Sequence, residues 1–175
     1  MIAVDVLKAG ALLLVAAVLE VSFVSYFEIG EAHPELVLVL LVSLALLRGA
    51  VLGALAGFWA GLVLDTASLG TLGLTSLLLT IAGYWCGRFG DATTRSSANP
   101  VLVAVLLATV GVGTGSALLH FMLGETLPVS DFVVGVLLPS LALNLLLSYP
   151  VYGLARRLFP PDASQRRGME VGAFG

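Results

Sequence analysis

The chain has 175 residues, 59% of them hydrophobic and 11% charged, with a mean hydropathy of +1.07 and a formal net charge of −3. Soluble domains are roughly 45–50% apolar and 25% charged, so this composition is that of an integral membrane protein and excludes a separate soluble domain. Each span needs roughly 20 apolar residues, so the length suits about six of them joined by short loops.

The first span is expected at about residues 8–27, beginning at Lys8. It lacks a cationic leader and a small-residue cleavage site, so it is read as retained. Glu20 lies inside it, about two turns from the outer end, where a carboxylate costs on the order of 2–3 kcal/mol or more unless it is hydrogen-bonded, hydrated or protonated. Glu20 is therefore either tied to groups of its own bundle or part of a proton or substrate relay. The segment Glu28 to Glu35 then breaks the apolar run, and Pro34 suits the first turn of the next helix.

From Leu36 to Leu64 the sequence is nearly continuous apolar, interrupted at Ser43 and at Arg48-Gly49. One long helix would give five spans and move six arginines outside, against the positive-inside bias. A turn at Arg48-Gly49 gives six, at about 34–48, 50–65, 74–88, 100–123 and 132–156 after the first. All 8 Lys and Arg then fall on the side that must be the cytoplasm, with both termini. The second and third spans are about 15 residues each, or roughly 22 Å against a hydrocarbon core of about 30 Å. Local thinning of the bilayer, or a shielded place in the bundle, follows.

The third span carries Gly49, Gly53, Gly57 and Gly61, then Asp65. Four residues turn a helix by about 400°, so these glycines form one slowly winding groove along which backbones can approach closely. In a bilayer such a face packs helices by van der Waals contact, either within its own bundle or against a partner. Asp65 reads as an Asx turn hydrated in the headgroup region, or as an organising hydrogen bond to helix ends or a partner. No Lys or Arg shares its side, so an external cation would be favoured there.

A Gly/Ser/Thr-rich turn through Gly70 and Gly73 leads to the fourth span, with Tyr84 and Trp85 at its inner end. A polar inner loop is expected at 90–98, followed by Asn99-Pro100 as an N-cap and first-turn pair. Gly111, Gly113 and Gly115 allow a kink or very close packing in the fifth span. His120, near its outer end, reads as an interfacial histidine or a ligand. The sixth span carries Pro139, Asn144 and Pro150, and Asn144 at that depth reads as a helix-to-helix hydrogen bond. The tail, 158–175, is expected to be short, flexible and cytoplasmic.

Cys86 has no second cysteine for a disulfide or metal site and reads as a small apolar filler. No catalytic triad spacing, phosphate loop, metalloprotease motif or nucleic-acid motif occurs, so no catalytic, cofactor or metal residue is assigned.

Four blocks, taken in order, resemble a known family. They are His33-Pro34-Glu35-Leu36; Arg48-Gly49 through Gly53, Gly57, Gly61-Leu62 and Asp65 to Leu72-Gly73; Gly83-Tyr84; and Leu138-Pro139, Asn144, Pro150, Tyr152 and Arg156-Arg157. The set is similar to that of the rod shape-determining membrane protein MreD of bacteria. The resemblance implies a non-enzymatic scaffold of the cell-elongation machinery in the inner membrane. Its implied partners are MreC, MreB, RodA and a penicillin-binding transpeptidase, with no nucleic acid. It also implies an all-α, six-span bundle like the vitamin-binding S-components of energy-coupling-factor transporters. The alternative reading is therefore a substrate-binding transporter subunit. Short, aromatic-poor outer loops and the lack of an Ala-xxx-Ala pair in the first span speak against it.

Overall fold

The computed structural model describes residues 2–24, 35–68, 72–93, 100–124 and 132–159. They form six α-helices: α1 (Ile2–Val24), α2 (Leu36–Arg48), α3 (Ala50–Ala67), α4 (Leu74–Thr93), α5 (Pro100–Met122) and α6 (Leu138–Leu158). One turn of π-helix, Phe132–Leu137, leads into α6. Pro139 in the first turn of α6 has no N–H to return to the preceding turn, which is where the wider turn gives way to α-helix. Among the described residues there is no strand. The first loop with Glu28, Glu31, His33 and Pro34 lies outside the described residues, as do Gly70, Asn99, Glu125, Asp131 and the tail from residue 160.

The apolar run at 36–64 is two helices. They meet at Gly49, whose φ of 87° is disfavoured for any residue with a side chain. α2 is the axis of the bundle. It has 13 residues, about 20 Å of helix, and every residue from Val37 to Ala45 is buried. A helix apolar all round must be surrounded, and α2 packs on α1, α3, α4, α5 and α6. Its shortness is thus matched to a position screened by the longer helices.

The outside of the bundle is hydrocarbon. Leu7, Val51, Trp59, Trp85, Leu107 and Leu146 are all exposed, on five different helices. Three helical segments are long and apolar enough to cross a membrane: Ala50–Ala67, Pro100–Met122 and Gly135–Leu158.

Several expected limits move. α1 starts at Ile2, so Lys8 stands in its second turn and not at its beginning. α4 continues past Arg88 to Thr93, taking up the first residues of the expected inner loop, because Gly90 packs on Leu46 of α2 and keeps the helix docked. Phe159, expected in the flexible tail, is 1% exposed, with the Arg48 guanidinium 5.5 Å from its ring centroid. A cation–π contact and apolar burial hold the end of α6 against the end of α2.

Candidate functional site

The glycines of α3 face α4, and this is the most extensive helix pair in the molecule. A Cβ at Gly53 would lie 2.5 Å from the Gly83 carbonyl oxygen, nearer than real Cβ atoms come. One at Gly57 would strike the Leu79 carbonyl, and one at Gly61 the backbone of Ser76. α4 answers with glycines of its own: Gly83 lies on the Gly53 carbonyl and Gly87 on the backbone of Ala50. The seam is backbone against backbone, so dispersion contact is gained along its length without ordering any long side chain. Ser76 Oγ donates to the Phe58 carbonyl at 2.9 Å across it.

Asp65 closes the seam at the C-terminal end of α3. It is 2% exposed, and its carboxylate accepts the N–H groups of Gly73 at 2.8 Å, Thr75 at 3.1 Å and Ser76 at 3.3 Å. Of the two readings of Asp65, a short Asx turn and an organising hydrogen bond to helix ends, the structure shows the second: the carboxylate reaches 8 to 11 residues ahead and caps α4 from the end of α3. First-turn N–H groups of a helix have no partner in their own helix, and a negative charge there also meets the positive end of the helix dipole. Gly73, at φ 95°, supplies the turn that brings them round. The acid marked out as a candidate for an external cation thus has both oxygens engaged by α4.

The N-terminus of α2 is served in the same way by its neighbours. Its own preceding residue, Glu35, makes no side-chain cap. Instead Glu20 Oε2 on α1 accepts the Val37 N–H at 2.8 Å, and Asn144 Oδ1 on α6 accepts the Glu35 N–H at 3.0 Å. Asn144 Nδ2 donates to Glu35 Oε2 at 3.0 Å and to Thr109 Oγ1 on α5 at 3.1 Å. A central helix cannot take its caps from water, so α1, α5 and α6 each extend a polar side chain to this one level. Thr109 and Asn144 are buried at 2% and 0% exposure.

Of the remaining candidates, Gly49 is the α2–α3 turn, and Pro139 opens α6. His120 is half-buried in the last turn of α5, about 16 Å along that helix from Thr109, too far to join the polar group. Cys86 is buried, its Sγ 3.9 Å from the Ala104 carbonyl. Three contributors were not singled out from the sequence for these roles. Gly87 carries the same four-residue spacing from Gly83 that marked α3. Thr109 is a lone hydroxyl inside an apolar stretch. Glu35 was read as the last acid of the first loop and as part of the His33-Pro34-Glu35-Leu36 block, not as a partner of Asn144.

What these groups do is fix helix ends and bring backbones together, inside a bundle whose exterior is hydrocarbon. That defines a membrane protein whose polar residues organise its own helices. A family model described as rod shape-determining protein MreD matches residues 4–159, and the chain belongs to that family. It is a rod shape-determining membrane protein, of a family of structural shape determinants. Comparison with curated proteins gives no match, and comparison with solved structures gives none.

Proposed function

We propose that this chain is a non-enzymatic, multi-pass scaffold of the cell-elongation machinery in the bacterial inner membrane. It binds MreC and helps organise peptidoglycan synthesis alongside RodA, its penicillin-binding transpeptidase and the MreB filament. The observation that carries the reading is the family match, which extends over residues 4–159. In this proposal the six helices are six spans, arranged like those of vitamin-binding S-components, with both termini cytoplasmic. That orientation is supported by the placement of all 8 Lys and Arg on one side. The helical unit runs to Phe159, and the polar remainder lies in the cytoplasm.

The test is purification of the tagged chain from native membrane in mild detergent, with identification of what is retained. MreC in stoichiometric yield is the expected result. Recovery of an energy-coupling module in its place would overturn the proposal in favour of a transporter subunit.

A further inference from the structure

The bundle has a cationic end, and contacts between helices define it. Phe159, just past α6, lies against Arg48 at the end of α2; Gly90 near the end of α4 packs on Leu46; and Leu7 near the start of α1 shares a groove with Leu52 near the start of α3. Lys8, Arg48, Arg88, Arg156 and Arg157 therefore gather at one end, while Glu20, Glu35 and Asp65 serve helix termini at the other.

Three of these cations stand on the flanks of the bundle, each at the end of a stripe that faces hydrocarbon. On α1, Lys8 shares a helix face with Val15 and Leu19, and all three are exposed. On α4, Arg88 follows the exposed Ile81 and Trp85 at helical spacing. On α6, Arg156 follows Leu146 and Tyr149 in the same way. Two of the cations are set back from the helix tips. α4 continues five residues past Arg88 to Thr93, about 7 Å, and α1 begins six residues before Lys8, about 9 Å. A long basic side chain on the side of a spanning helix, with apolar residues a turn or two below it, extends its charge into the headgroup layer.

The chain does not neutralise these charges itself. Lys8, Arg88 and Arg156 make no ion pair with a carboxylate among the described residues. Asp91, three residues after Arg88, has its carboxylate beside the α2–α3 turn, 3.7 Å from where a Cβ on Gly49 would stand. Arg48 is turned inward onto the Phe159 ring. The phosphate of a zwitterionic headgroup is offset by its own ammonium, whereas an anionic headgroup keeps a net negative charge to meet each cation. We propose that Lys8, Arg88 and Arg156 form a girdle that binds the headgroups of anionic phospholipids, with the Trp85 and Tyr149 rings at the boundary between headgroup and acyl chain. A guanidinium can take two phosphate oxygens at once, so the two arginine positions bind more firmly than the lysine. The inference goes beyond the scaffold reading, and either can fail without the other.

The experiment uses Trp85 as the reporter of the lipid at Arg88. Trp59→Phe leaves Trp85 as the one tryptophan, and this variant is reconstituted in vesicles of phosphatidylcholine and phosphatidylglycerol, with one or the other lipid brominated on its chains so that it quenches tryptophan on contact. Phosphatidylglycerol should be preferred at Trp85 by roughly fivefold, the effect of one basic side chain near a membrane surface. Arg88→Gln should bring the ratio to about one, and Arg88→Lys, which keeps the charge, should retain most of it. Lys8→Gln, on another helix, should leave the ratio at Trp85 in place and lower the number of phosphatidylglycerol molecules that native mass spectrometry finds on the protein. Equal quenching by the two lipids, a preference that survives Arg88→Gln, or a lipid count unchanged in Lys8→Gln would each overturn the inference. So would loss of the preference on adding excess inorganic phosphate, which would mark a site for the free anion. Retention of MreC does not enter any of these readouts, so their failure leaves the scaffold reading standing.

Discussion

Asn144 and Glu35 grip each other twice. The Asn144 carbonyl oxygen takes the Glu35 backbone N–H, its amide nitrogen gives to the Glu35 carboxylate, and the two residues are 109 apart in the chain. One amide thereby holds the end of the central helix, the side chain that precedes it and, through Thr109, a third helix. Asn144→Ala strands a backbone donor, a carboxylate and a hydroxyl at once. Leaving buried polar groups without partners costs about 1–3 kcal/mol. Thr109→Val removes one member only and should cost about 0.6 kcal/mol, the average for hydrogen bonds between membrane helices. Thermal unfolding in detergent should rank wild type, Thr109→Val and Asn144→Ala in falling order. Equal midpoints for the two variants would show that Asn144 is not the centre of the group.

The glycine seam predicts a contrast between two glycines of the same kind. A methyl at Gly57 would run into the Leu79 backbone, whereas one at Gly111 would meet nothing within 4 Å. Gly57→Ala forces two backbones apart and should cost about 1–3 kcal/mol as overpacking. Gly111→Ala should leave stability unchanged or slightly higher, since alanine is the better helix former. Folded yield by size-exclusion chromatography, followed by unfolding midpoints, measures both. Gly57→Leu should lower the folded yield further than Leu62→Ala does, because a cavity at half-buried Leu62 is milder than a collision at the seam.

The part of this architecture that repeats locally was legible in the sequence. A four-residue glycine period, the Arg48-Gly49 break and the short apolar run of α2 are each readable within about 20 residues, because helix geometry fixes what lies on one face. The short length of α2 left local thinning or a shielded place open, and the burial of Val37 to Ala45 shows the shielded place. What was not legible is pairing between distant segments. That Gly83 and Gly87 meet the α3 glycines depends on the register of a hairpin. That Asn144 serves Glu35 depends on two helices more than 100 residues apart crossing at one level. Phe159 followed the same rule: beside two prolines and charged residues it reads as tail, and its burial in the core beside Arg48 depends on distant segments.

The proposed orientation can be checked by labelling. Single cysteines introduced at Gly30 and Ser130, on a Cys86→Ala background, should react with an impermeant thiol reagent added to intact cells stripped of their outer membrane. Cysteines at Ser96 and Ser164 should react only after the membrane is opened. The motive is that every Lys and Arg then lies inside, where retention of positive charge is favoured. Labelling of Ser96 from outside would reverse or reduce the span count.

Asp65 offers the sharpest separation between holding the fold and holding a partner. Its oxygens accept the N–H groups of Thr75 and Ser76 in the first turn of α4 and of Gly73 just before it, so it acts there as a cap supplied by another helix. Losing an N-cap side chain costs about 0.5–2 kcal/mol, so Asp65→Ala should lower the unfolding midpoint. Asp65→Asn, which retains one acceptor oxygen, should fall between the two. Glu28→Gln in the first loop serves as the comparison and should change neither stability nor binding. Affinity for the proposed partner MreC, measured on the folded fraction of each variant, should be unaltered by Asp65→Asn, because the carboxylate is 2% exposed and turned into α4. Removing one member of a desolvated charged pair at an interface costs about 2–5 kcal/mol. A loss of that size in affinity, with the unfolding midpoint unchanged, would mean that Asp65 meets a cation of the partner and that the α4 cap contributes little. A fall in midpoint with affinity intact assigns Asp65 to the hairpin that carries the seam, and leaves the partner to another face of α3.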